Sequence, residues 1–77
     1  MNKINIETIQ QYHVYTWITR NFICENIHLT IVDHNTLLIN DQKDTALVSF
    51  KEDTIYLRYS ENYDFVVEKI KFKKPYH

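Results

Sequence analysis

The chain of 77 residues contains no glycine, and this absence excludes a whole class of sites. Phosphate loops of the Walker type and dinucleotide-binding turns need glycine to bring the backbone close to a phosphate. Nucleotide binding by either route is therefore excluded. Asn and Asp must make the tight turns instead, since they tolerate turn conformations better than most residues that carry a side chain.

Cysteine and long apolar runs are also scarce. The single cysteine, Cys24, excludes a disulfide within the chain, and such bonds are the usual staple of small secreted domains. No apolar stretch approaches the ~20 residues of a membrane span, and polar residues interrupt the N-terminal segment too often for a signal peptide. We therefore expect a cytoplasmic protein that does not enter a membrane.

The composition predicts one globular domain, residues 1–77, with a binding role. Hydrophobic residues make up 44% of the chain, which is too many for a disordered one. A domain of this size buries only about 60% of the surface that its unfolded chain exposes, so binding a partner would add stability. The formal net charge of −1 argues against unspecific phosphate binding. Asn, Lys, Ile and Tyr are plentiful, as in AT-rich coding, which favours a phage or mobile element of a low-GC bacterium.

The N-terminal third predicts a helix. No turn cluster interrupts residues 4–24, a length that exceeds that of ordinary strands, and Asn5 is a candidate N-cap for a helix over about 5–23. Against this, the aromatic and β-branched residues of YHVYTWIT (12–19) prefer strands. A small all-β barrel in which this stretch is a strand remains the alternative.

Projected as a helix, this segment is apolar on two sides. One side carries Val14 and Trp17, and the other carries Tyr15, Ile18 and Phe22. The second side is predicted to contact a partner, which we expect to include a second copy in a two-fold homodimer. The alternative is that a second element of the same chain, such as the C-terminal segment, covers this side.

After Asn26 the apolar period changes to two, which predicts an antiparallel meander. The predicted strands are 27–33, 36–40, 45–51, 54–60 and 65–73, although the last is also compatible with a helix. The expected fold is α+β, with the N-terminal helix packed on one face of a four- to five-stranded antiparallel sheet. The face that receives the helix is predicted to carry Leu29, Ile31, Leu37, Ile39, Ala46, Val48, Phe50, Ile55, Leu57 and Tyr59.

Catalytic and metal-binding patterns are weak. Cys24 and His28 supply only two close ligands, short of the four that a structural zinc site uses, so we expect no metal and no cofactor. Ser49 and Ser60 lie in strand patterns without the setting of a nucleophile, and the acids fall at predicted turns. We expect that the protein is not an enzyme.

Two binding hypotheses remain. The first is an inhibitor or adaptor that occupies a surface of a larger protein through Tyr15, Ile18 and Phe22. Its acidic turns would form a charge patch for a basic, nucleic-acid-handling target, through Asp41, Asp44, Glu52 and Asp53. The alternative is a nucleic-acid-binding module in which aromatic and basic side chains of the sheet contact bases and phosphates, through Tyr56, Arg58, Lys69 and Lys71.

Overall fold

A computed structural model describes residues 1–61 and 64–72, which form one helix against a five-stranded sheet. Helix α1 spans Ile9–Asn21, and a short 3₁₀ turn, Cys24–Asn26, leads into the sheet. The strands are β1 (His28–Asp33), β2 (Thr36–Asn40), β3 (Thr45–Lys51), β4 (Thr54–Glu61) and β5 (Asp64–Lys71).

Each strand pairs antiparallel with its neighbour in the order β1-β2-β3-β4-β5. The predicted α+β fold is confirmed. The all-β barrel is wrong, because YHVYTWIT is helical and the sheet stays open between β1 and β5. The segment predicted as a strand over 65–73 is one up to Lys71, while Phe72 follows the strand and Lys73 lies outside the described residues.

The helix begins at Ile9 rather than near Asn5, because Thr8 is its N-cap. The Thr8 hydroxyl accepts the Gln11 N–H at 3.0 Å, and the Gln11 side chain accepts the Thr8 N–H at 3.2 Å, which is a capping box. At the other end, Phe22 is extended while its N–H bonds to the Ile18 carbonyl at 3.0 Å. The helix thus ends at Asn21, two residues before the predicted end. Among the described residues, no helix is long and apolar enough to cross a membrane.

Gln11 also ties the start of the helix to the sheet. This side chain is only 2% exposed, and its Nε2 donates to the Asp33 carbonyl at 2.9 Å while Oε1 accepts the Glu7 N–H at 2.7 Å. Beside it, the Thr8 hydroxyl donates to the His34 carbonyl. A buried polar side chain with both ends hydrogen-bonded fixes where the helix meets the β1–β2 turn.

The predicted division of the sheet into two faces is confirmed by the register. Pairs such as Leu37↔Val48 and Val48↔Leu57 place alternate residues of neighbouring strands on the same face. The face under the helix, called the inner face here, buries a cluster with Val14 and Ile18 of α1. The buried sheet residues of this cluster are Leu29, Leu37, Ile39, Val48, Phe50 and Ile55.

Two turns show how the chain manages without glycine. Lys51 and Thr54 are paired, so Glu52 and Asp53 form a two-residue hairpin turn with φ values of 52° and 59°. This is the left-handed conformation that such hairpins require and that residues with a Cβ disfavour. Gln42, in the β2–β3 turn, has φ 86°. These turns therefore hold backbone strain that glycine would relieve.

Candidate binding surface

The sheet has a second face that the helix does not cover, called the open face here. It is formed by the residues that alternate with those of the inner face, as the strand register requires. From β1 to β5 these are His28, Thr30, Asp33, Thr36, Leu38, Asn40, Thr45, Leu47, Ser49, Lys51, Thr54, Tyr56, Arg58, Ser60, Phe65, Val67, Lys69 and Lys71.

The charged groups of this face are segregated by sign. On β3, β4 and β5 it carries four exposed cations, Lys51, Arg58, Lys69 and Lys71, and no carboxylate. The one acid of the open face, Asp33, lies at the far corner, where its Oδ1 accepts the Asn35 N–H at 3.0 Å. That hydrogen bond is the main reason why the pKa of Asp33 lies below its ordinary value. A chain with a net charge of −1 thus presents a basic surface on three strands.

Apolar side chains flank Arg58 across the middle of the open face. Leu38, Leu47, Arg58 and Val67 are paired in succession from β2 to β5, so their side chains lie side by side. Together with Phe65 they line a shallow groove of about 530 Å³. Val67 is 51% exposed and Phe65 is 85% exposed, a large apolar area to leave in water.

Tyr56 and Lys69 form the aromatic and basic part of the same surface. They are directly paired across β4 and β5, and the Lys69 Nζ lies 5.9 Å from the centre of the Tyr56 ring. At this distance the cation interacts with the face of the ring. Tyr56 also lines a neighbouring groove of about 410 Å³, together with Ser49, Lys51 and Arg58. The four residues of the predicted nucleic-acid site, Tyr56, Arg58, Lys69 and Lys71, therefore lie on one face.

The helix residues predicted to contact a partner face the sheet instead. Ile18 is fully buried in the core, and Tyr15 and Phe22 are half-buried against it. With Gln11 and Val14 they form a single stripe at the spacing of successive helical turns. The prediction that divided this stripe between two sides placed Val14 with Trp17, although Val14 and Ile18 are four residues apart and therefore share a face of the helix. Ile18 is therefore absent from the protein surface.

The four predicted acidic residues do not form one patch. Asp41 and Asp44 lie in the β2–β3 turn, and Glu52 and Asp53 lie in the β3–β4 turn, at the opposite end of β3. Seven residues of strand separate them, which corresponds to roughly 20 Å. A single target surface that needs all four acids side by side is not supported by this arrangement.

The Asp41 side chain accepts hydrogen bonds from the backbone of its own turn. Its Oδ1 accepts the N–H of Asp44 at 2.8 Å and that of Lys43 at 3.2 Å, and these bonds hold the pKa of Asp41 below its ordinary value. Asp41 and Asp44 also border a small groove of about 230 Å³, whose walls include Ile39 and Leu57. The carboxylate of Asp41 is thus engaged in closing its own turn.

Glu68 is a charged residue on the inner face, where it is paired with Leu57. The Tyr59 hydroxyl donates to its Oε2 at 2.5 Å, and this hydrogen bond is the main reason why the pKa of Tyr59 is raised. Both residues lie on the strands farthest from the helix, where a carboxylate can stay in water.

Metal ligation has no visible basis in residues 1–61 and 64–72, where no three His, Cys, Asp or Glu side chains gather. Cys24 is half-buried at the end of the helix, and its thiol lies 3.6 Å from the Phe22 carbonyl. Comparison with family models, curated proteins and solved structures finds no match to this chain. The function is therefore inferred from the residues of the open face.

Proposed function

We propose that the protein is a small binding module that attaches to an acidic surface of a larger protein through its open face. It would act in the cytoplasm as an inhibitor or adaptor, encoded by a phage or mobile element of a low-GC bacterium, and without enzymatic activity. The observation that carries the proposal is the combination of four cations on β3, β4 and β5 with the uncovered apolar side chains of Leu47, Phe65 and Val67. Such a surface complements an apolar patch with an acidic rim.

Three features favour a protein over a nucleic acid. The middle of the face is aliphatic, with Leu38, Leu47 and Val67, whereas single-stranded nucleic acids bind by stacking bases on aromatic rings. The Lys69 ammonium already lies over the Tyr56 ring, where a base would have to stack. The acidic turns at the two ends of β3 would repel a long polyanion that follows the strands.

A capture experiment with two matched variants tests this proposal. Arg58→Glu reverses a charge on the open face, and Arg20→Glu makes the same change on the exposed side of the helix. The tagged protein is incubated with a lysate of a low-GC bacterium, with and without nuclease treatment. We expect wild type and Arg20→Glu to retain the same protein, and Arg58→Glu to lose most of it.

Two results would contradict the proposal. One is equal capture by the two variants when both melt like wild type, because the open face would then be irrelevant. The other is capture that disappears with nuclease treatment, which would show that a nucleic acid bridges the two proteins.

The second candidate function is direct binding of single-stranded nucleic acid. It is favoured by the convergence of Tyr56, Arg58, Lys69 and Lys71 on one face, together with the exposed ring of Phe65. Fluorescence anisotropy with a labelled single-stranded oligonucleotide at low salt tests it. A signal that weakens with Lys69→Glu and with added salt would support this candidate, because phosphate contacts release counterions. No binding at low salt would remove it.

A further inference from the structure

The two edge strands of the sheet, β1 and β5, differ in how far their backbone groups are protected against pairing with another strand. On β1, the Asn2 side chain occupies the edge, since its Oδ1 accepts the Leu29 N–H at 2.7 Å and its Nδ2 donates to the Leu29 carbonyl at 2.9 Å. A bulge at Val32 further interrupts β1. Both devices are typical of edges protected against pairing with another strand.

The other edge, β5, has neither device within the described residues. Its register with β4 runs without a shift from Glu61↔Asp64 to Thr54↔Lys71. The Phe72 N–H bonds to the Asp53 carbonyl, so the even-numbered residues of β5 direct their backbone groups towards β4. The backbone groups of Phe65, Val67, Lys69 and Lys71 therefore point to the free edge, and their side chains lie on the open face.

We propose that β5 pairs antiparallel with β5 of a second copy, about a two-fold axis at Val67. The sheets of the two copies would join into one ten-stranded sheet with both helices on the same side. This proposal is independent of what the open face binds. It replaces the helix side that the sequence predicted for a dimer, since Ile18 of that side is buried.

The charges of β5 favour a second copy of the same strand as its partner. A two-fold interface must be self-complementary, because each residue i that faces j is matched by j facing i. An axis at Glu68 or Lys69 places that charge opposite its own copy, and an axis at Val66 places Asp64 opposite Glu68. Like charges directly opposite each other destabilise a strand pair.

The register centred on Val67 avoids every such conflict among the described residues. Val67 faces Val67 of the second copy, and Val66 faces Glu68. Phe65 faces Lys69, a cation beside an aromatic ring that is otherwise 85% exposed. The pairs at Val67 and at Phe65 with Lys69 are also those whose free N–H and C=O groups point across the edge, so each exchanges two hydrogen bonds.

The first test removes one backbone donor. Val67→Pro deletes the N–H at the two-fold axis and leaves the pairing with β4 intact, because this N–H points to the free edge. Val67→Ala shortens the side chain and keeps the donor. We expect light scattering at micromolar concentration to give twice the 9.4 kDa of the chain for wild type and Val67→Ala, and 9.4 kDa for Val67→Pro.

The second test changes only charge, so it does not depend on how the chain tolerates proline. Phe65→Lys places two lysines opposite each other twice in the dimer, and we expect it to weaken dimerisation by about tenfold. Phe65→Glu places a carboxylate opposite Lys69, and we expect it to keep the dimer. The double variant Phe65→Lys with Lys69→Glu should restore dimerisation.

Either of two outcomes overturns the proposal. A wild-type mass of 9.4 kDa across the concentration range excludes the dimer and leaves β5 open to a foreign strand. A dimer that persists in both folded Val67→Pro and folded Phe65→Lys assigns the association to another surface.

Discussion

Single side chains decide where the helix and the turns lie. Gln11 is the clearest case, because one buried amide closes the capping box and also bonds to the Asp33 carbonyl. The pattern Thr-x-x-Gln at residues 8–11 is a recognised helix start signal, so the sequence could have indicated Thr8 rather than Asn5 as the N-cap. The buried contact of Gln11 with β1 could not be predicted, since nothing in the local sequence names a partner in a distant strand.

Replacing Gln11 by Leu should destabilise the fold by about 2–4 kcal/mol, because two N–H groups and one carbonyl lose their partner. Gln10→Leu makes the same change at the neighbouring position and should alter stability by less than about 0.5 kcal/mol. Urea denaturation of both variants measures the difference. Equal midpoints would show that the amide contributes no stability.

The lowered pKa of Asp41 makes part of the stability of the fold depend on pH. The N–H groups of Asp44 and Lys43 lower the pKa of Asp41 in the folded protein. Its carboxylate therefore stabilises the fold above the ordinary pKa of 3.8, and this contribution is lost as the pH falls through the lower pKa of the folded state. Asp41→Asn should lose less stability than wild type between neutral pH and pH values below 3.8. Denaturation at several pH values checks this, and parallel curves would contradict it.

The β3–β4 turn predicts a stabilising change. Replacing Glu52 and Asp53 by Asn and Gly suits the positive φ of both positions, and we expect a gain of about 1–2 kcal/mol. The control is Thr54→Gly, which places glycine in a strand and should destabilise. Thermal unfolding measures both effects. A double variant no more stable than wild type would contradict a strained turn.

At the scale of elements, the strands were easier to predict than the helix. Alternation with a period of two, together with turns of two to four residues, leaves few possible registers, so the inner face was predicted residue by residue. The helix has more freedom, because a stripe can be shifted around the axis when one of its members is polar. Here Gln11 is that member, and the prediction placed Val14 and Ile18 on opposite sides although they are four residues apart and share a face.

The position of the stripe is tested by one substitution at two sites. Ile18→Ala should destabilise by about 2–5 kcal/mol, because Ile18 is fully buried. Ile9→Ala, at a residue of the same helix that is 64% exposed, should cost less than about 0.5 kcal/mol. Chemical denaturation separates the two, and similar losses would show that the helix packs with another side.

At the scale of the whole molecule, the distribution of charge matters more than its sum. A net charge of −1 argued against a polyanionic partner, but the strands place Lys51, Arg58, Lys69 and Lys71 on one face, while Asp41, Asp44, Glu52 and Asp53 lie in turns. The alternation alone could have grouped these cations, since the sequence already placed them outward. The order of the predicted strands also separates the acids, because Asp41 and Asp44 precede β3 whereas Glu52 and Asp53 follow it.

Methyl NMR of the protein with the captured partner shows whether the open face is the surface that binds it. On adding that partner, we expect the methyl signals of Leu38, Leu47 and Val67 on the open face to shift. The signals of Ile9 and Ile23, which are 64% and 71% exposed away from that face, should stay in place. Shifts at Ile9 and Ile23 without shifts on the open face would show that the partner binds another surface.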